Sequence, residues 1–294
     1  MHHRDVPTSE GRNLEVLSGG DPAGFPWLFH TGTPSAAVEA PIFEAFARYA
    51  GLRLITYSRP GYGRSTPRLE PEPQVVDDVA DALAVLDALG VGEFITLGWS
   101  GGGPRALACA ALLPHRCRAA CTLAGVAPAD AEDLDFTAGM AQENVDEFAA
   151  ARRGPEEYTA FLEKVTPGMA HATAADVVDS LGGLVTPADA AALKGTYAEW
   201  FAASLRHALA QGVVGWREDG LAIVRPWGFD LSAIKVPVSV WQGDQDAMVP
   251  FEHGEWLAEN VPGARPHLIE GEGHLSLAVR LDEILGDLKR SAAL

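Results

Sequence analysis

The sequence predicts an α/β protein: a mostly parallel sheet with helices on both faces, interrupted by an all-helical insertion. Three observations carry that reading. Up to about residue 125, short apolar runs without polar alternation take turns with segments of helical period, as expected for strands buried on both faces. From Ala127 to Ser232, helical patterns follow one another with no convincing strand between them. The strand–helix alternation then resumes to the end of the chain.

Trp27-Leu28-Phe29-His30 is the first strand candidate, and Val38, Ile42, Phe43, Phe46 and Tyr49 fall at helical spacing after it. Arg53 to Tyr57 reads as a strand. Val75 to Leu89 reads as a helix with Val76, Val79, Leu83, Leu86 and Leu89 on one face. Phe94 to Leu97 is a strand, Pro104 to Leu113 a helix, and Ala119 to Leu123 a strand. Helix candidates in the insertion are Phe136 to Arg152, Pro155 to Val165, Thr173 to Leu181, Pro187 to Lys194 and Tyr197 to Gln211. A strand at Val236 to Trp241, a helix at Glu252 to Glu259, a strand at His267 to Ile269 and a helix from Leu275 to Lys289 close the chain. The expected division is a core of residues 1–126 and 233–294 and a helical cap of residues 127–232.

Gly98-Trp99-Ser100-Gly101-Gly102 sits between the strand Phe94 to Leu97 and the helix from Pro104. A serine on a sharp strand-to-helix turn is presented rigidly, and small residues at 98 and 102 let the backbone pack around it. Glycine-rich turns of this kind also cradle phosphates. Here, however, the third position of a G-x-G-x-x-G fingerprint is Ser100, and Gly103 is followed by Pro104 and Arg105 rather than by a P-loop lysine. Gly101 offers an N–H to a developing oxyanion. Trp99 flanks the serine and is expected to line the site.

A serine nucleophile needs a histidine base and a carboxylate that orients it. Two later loops leave strand ends: Gly243 to Pro250, and Gly271-Glu272-Gly273-His274. In the first, Asp244 and Asp246 are both available. Asp246 is favoured because it lies further from the strand, with a small residue after it, while Asp244 suits a bond to its own turn backbone. Asp130 is a weaker third choice. His274, between glycine and a new helix, is favoured as base over His253 inside a helix pattern and His267 on a strand. The second oxyanion donor is expected from His30-Thr31-Gly32-Thr33-Pro34. Pro34 has no N–H, which leaves Thr33, with Gly32 behind it.

The chain has 294 residues, 47% hydrophobic and 21% charged, enough for a large core. Its formal net charge of −18 repels nucleic acid and anionic membranes, so neither is expected as a partner. Three cysteines, Cys109, Cys117 and Cys121, lie in apolar surroundings with no C-x-x-C pair. Buried free thiols are expected, with no metal site and no cofactor. No apolar run approaches the roughly 20 residues of a membrane span, and the first residues hold no apolar signal region. A cytoplasmic protein, monomer or homodimer, acting on a small molecule is the expectation. His2 and His3 read as a solvated terminus.

On the elbow at 98–102, the acid loop at 243–250 and the Gly273-His274 loop, the chain resembles the α/β-hydrolase superfamily from about Trp27 to Leu288. Ser58-Arg59-Pro60-Gly61-Tyr62-Gly63-Arg64-Ser65 also resembles the arginine- and glycine-bearing loop after that family's fourth strand. The resemblance implies triad roles for Ser100, Asp246 and His274 and oxyanion roles for Gly101 and Thr33. It departs from the family pattern where the usual His-Gly pair is Thr31-Gly32. The implied activity is hydrolysis of an uncharged ester, thioester or lactone through an acyl-enzyme on Ser100. Trp99, Phe136, Met140, Trp200 and Met248, with Phe201 and Trp216, are expected around a hydrophobic pocket. Three alternatives stand beside this. One is a proline-iminopeptidase-like aminopeptidase, for which Glu143, Asp146 and Glu147 are the cap acids available. Another is a cofactor-free lyase or other non-hydrolytic enzyme using the same three residues. The third is a catalytically dead ligand receptor, against which the intact serine, acid and base argue.

Overall fold

A computed structural model describes residues 1–68 and 73–294. An eight-stranded sheet runs through it in the order β1-β2-β4-β3-β5-β6-β7-β8. The strands are β1 (His2–Pro7), β2 (Asn13–Gly20), β3 (Phe25–His30), β4 (Leu52–Tyr57), β5 (Phe94–Trp99), β6 (Cys117–Leu123), β7 (Val238–Gly243) and β8 (Arg265–Ile269). From β4 through β8 the pairings are parallel, while β1 and β2 add an antiparallel edge. Those first two strands are absent from the sequence reading. In β1 only Val6 is buried, so the hydrophobic pattern carries no signal there. His2 and His3 belong to this strand, with exposed side chains.

Helices α1 (Pro41–Tyr49) and α11 (Leu281–Ser291) cover one face of the sheet; α2 (Asp78–Ala88), α3 (Gly103–Leu112) and α10 (Phe251–Asn260) cover the other. Helices α1, α2 and α11 bury an apolar stripe, whereas α3 is buried nearly all round. In α11 the stripe is Leu281, Ile284, Leu285 and Leu288, the spacing that puts side chains on one side of a helix. The three cysteines are buried free thiols, as expected.

Residues 124–237 contain no strand and form α4 (Gln142–Arg153), α5 (Pro155–Met169), α6 (Val177–Leu181), α7 (Pro187–Ala192), α8 (Gly195–Ala208) and α9 (Val214–Val224). Helix α9 was not legible in the sequence. It is buried over most of its length, including Glu218 and Asp219, so no polar face marks its period. The segment has an apolar cluster of its own around Tyr158, Leu162, Leu209 and Trp216, joined by Tyr62 of the sheet side. No helix among the described residues is long and apolar enough to cross a membrane.

Candidate active site

Because β3, β5, β7 and β8 are parallel, the loops after them open at one edge of the sheet, where such folds bind ligands. Ser100 follows β5 with φ +55°, a left-handed conformation that a residue with a side chain adopts only under constraint. The flanking glycines are required by space. A Cβ at Gly98 would lie 2.1 Å from the Gly102 carbonyl oxygen, and one at Gly102 would lie 2.2 Å from that of His30. The sharp turn is thus bought with small residues on both sides.

Asp246, after β7, is buried and fully used. Its Oδ1 accepts the amides of Met248 and Val249, both at 2.8 Å. Its Oδ2 accepts Gln242 Nε2 at 3.0 Å and lies 2.8 Å from His274 Nδ1. Burial works against a charged His274, but the Asp246 carboxylate, with Asp189 beyond it, outweighs that and raises the imidazole above its ordinary value. Trp99 stacks on the His274 ring at 6.0 Å and donates Nε1 to the His274 carbonyl at 3.3 Å. Asp244 serves a different purpose: its Oδ1 accepts the Gly271 amide at 2.7 Å, tying the acid loop to the base loop rather than closing its own turn.

The competing histidines are occupied elsewhere. His253 accepts the Ala127 amide on Nδ1 and bonds the Phe136 carbonyl through Nε2. His267 stacks on Trp241 at 4.0 Å. His30 is buried beside Cys109, and burial pushes it down to about 3, so it stays neutral.

One cavity collects Ser100, His274, Trp99 and Thr33 with Trp200, Phe201, Trp216 and Met248. Trp200 stacks on Trp99 at 6.1 Å. Two pocket expectations are corrected. Phe136 and Met140 do not line this cavity but pack in the core against the sheet, where Phe136 meets Phe148 edge-on at 5.0 Å and His253 at 5.1 Å. Both lie in the turns before α4, where the sequence reading expected helix, and an aromatic and a methionine there fill the core as readily as they line a pocket. Met169, Leu181, Leu184 and Leu205 extend the apolar wall, and Asn144 and Glu147 add polar groups. Glu147 Oε1 accepts Tyr158 Oη at 2.6 Å and Trp216 Nε1 at 2.7 Å. Glu143 and Asp146 are exposed on α4 and lie outside the cavity lining.

Several supporting residues escaped the sequence reading. Asp189 of α7 accepts the amides of Leu275 and Ser276 next to His274. The Thr186-Pro187-Ala188-Asp189 run announces a helix start but not that reach. Arg59, quoted only within its loop, is buried and bonded to the Thr31 and Gly32 carbonyls.

With this geometry in view, residues 28–281 match the family described as alpha/beta hydrolase fold, and the chain belongs to that family. Among individual proteins, it is 26% identical over 291 residues to a non-heme chloroperoxidase of Streptomyces lividans, covering 96% of this chain and 97% of that protein. A proline iminopeptidase of Neisseria meningitidis serogroup A is 31% identical over 117 residues, 40% of this chain and 37% of its own. A thermophilic esterase from Thermogutta terrifontis superposes over 100% of both chains with a TM-score of 0.70 at 20% identity, a likeness of fold.

Proposed function

We propose that the chain is a serine hydrolase that cleaves a carboxylic ester, thioester or lactone of a small hydrophobic substrate through an acyl-enzyme on Ser100. The observation that carries this reading is the His274 Nδ1–Asp246 Oδ2 contact of 2.8 Å on an imidazole that lines the same cavity as a strained, elbow-mounted Ser100.

In the proposed reaction Ser100 Oγ attacks the carbonyl carbon while His274 Nε2 takes its proton. Asp246 holds the ring with Nδ1 protonated and stabilises the imidazolium. The N–H groups of Gly101 and Thr33 receive the oxyanion, and the Thr33 N–H has no hydrogen-bond partner among the described residues. His274 then protonates the leaving group, and water activated by the same nitrogen releases the acid. Residues 127–232 act as the cap, with Trp200, Phe201 and Met248 beside Trp99 bounding the apolar side of the pocket. Ser100→Ala should abolish 4-nitrophenyl acetate turnover and labelling by a fluorophosphonate. Undiminished turnover in that variant would end this reading.

A second reading, aminopeptidase action, draws on one observation: of the three cap acids, Glu147 lines the cavity. Comparing prolyl 4-nitroanilide with 4-nitrophenyl acetate separates the two, since only the aminopeptidase turns over the anilide well.

A further inference from the structure

The oxyanion donors proposed above are backbone N–H groups, and a buried network stands directly behind them. Arg59 Nη1 donates to the Thr31 carbonyl and Nη2 to the Gly32 carbonyl, both at 2.7 Å. Arg59 Nη2 also lies 3.2 Å from Thr33 Oγ1. The same guanidinium pairs with Asp219 of α9 at 2.5 Å. Asp219 in turn accepts Thr33 Oγ1 at 2.7 Å, Tyr62 Oη at 3.0 Å and Arg105 Nη2 at 3.1 Å. Arg105 holds the Gly101 carbonyl at 2.8 Å. Arg59, Arg105 and Asp219 are all buried. Burial alone would raise the Asp219 carboxyl, but the two guanidiniums pull it down to about 2, so it stays charged.

The Gly32 carbonyl and the Thr33 N–H are opposite ends of one planar peptide unit. A cation bonded to the oxygen end fixes the direction of the N–H end and polarises it, because linked hydrogen bonds in a low-dielectric interior strengthen one another. That peptide lies against the nucleophile: a Cβ at Gly32 would sit 3.3 Å from Ser100 Cβ.

We propose that Arg59 is a positioning residue of the oxyanion hole, acting through the Gly32–Thr33 peptide, and that Asp219 of the helical segment holds it in register. The segment then contributes to the rate of the chemical step as well as to the shape of the pocket. The inference rests on the acyl-enzyme reading above.

The test uses the full chain carrying Arg59→Lys, which keeps the charge but cannot span two carbonyls and a carboxylate with one planar fork. Wild type and variant are compared on 4-nitrophenyl acetate and on its thiono analogue, whose sulfur makes poor use of N–H donors. The expected result is a kcat loss of at least about tenfold on the oxoester with KM within about twofold, a much smaller loss on the thionoester, and weaker inhibition by phenylboronic acid in proportion. Asp219→Asn should give the same signature. Should either variant fail to fold, Thr33→Val removes one link while leaving every charge in place, and should shift the oxo-to-thiono ratio in the same direction. Equal losses on both esters, or an unchanged ratio, overturn the proposal while leaving the triad reading intact. Wild-type ester turnover that does not depend on Ser100 overturns both.

Discussion

The carboxylate of Asp189 accepts the amide of Leu275 at 2.7 Å, so a helix of the all-helical segment grips the turn that carries His274. The same oxygen accepts Ser276 N at 2.9 Å, while Oδ2 accepts the Thr186 hydroxyl at 3.0 Å. Gly273 admits this approach, since a Cβ there would lie 2.5 Å from Asp189 Oδ1. Every acceptor position of a buried group is in use, so Asp189→Asn must turn an NH2 toward a donor. We expect a stability loss of roughly 1–3 kcal/mol and a kcat that falls more than KM rises. Thermal unfolding and steady-state kinetics check both.

The pH profile follows from His274. The proposed base role needs the neutral ring, and Asp246 and Asp189 raise the pKa of His274 against the effect of burial. The acidic limb of kcat/KM should therefore lie above the ordinary histidine value of about 6.5. Asp246→Asn should move the residual activity's limb to lower pH, because burial then dominates. The stability contribution has the matching sign: it is full below the unfolded-state pKa and is lost as pH rises through the raised folded value. An unmoved limb in the variant would contradict this assignment.

Ser100 sits at φ +55°, where glycine pays no steric cost. Ser100→Gly should therefore be inactive yet more stable than Ser100→Ala, by a margin on the order of 1 kcal/mol. Denaturant midpoints of the two inactive variants give the comparison.

Gly102 makes the opposite case. A side chain there meets backbone oxygen of His30 at 2.2 Å and of Thr31 at 2.7 Å, neither of which can swing aside. Gly102→Ala should cost roughly 1–3 kcal/mol or more and displace the elbow from the β3 loop, so activity falls even in the folded fraction. Circular dichroism melts paired with fluorophosphonate labelling rates separate the two effects.

Much of the fold was legible because parallel strands buried on both faces leave unbroken apolar runs, as in β5 and β7. The placement of Ser100, Asp246 and His274 on loops after β5, β7 and β8 was legible because glycines or prolines mark each of those strand ends. The exposed edge strand β1 and the buried helix α9 were not, since neither alternates polar with apolar faces. Phe136 and Met140 were misplaced because composition marks a residue as apolar but does not say whether the core or the cavity receives it. Asp189, Asp219 and Glu147 act across separations of many residues, and a single charge in a helix carries no local sign of its distant partner.

Trp99 has an optical consequence as well. Its indole stacks on Trp200 and on the His274 imidazole and is almost wholly shielded from solvent. Protonated imidazole next to an indole drains its excited state, so the emission difference between the native protein and a Trp99→Phe form is an optical gauge of the His274 ring. Proton occupancy at the His274 ring becomes readable in the resting molecule, with no substrate added.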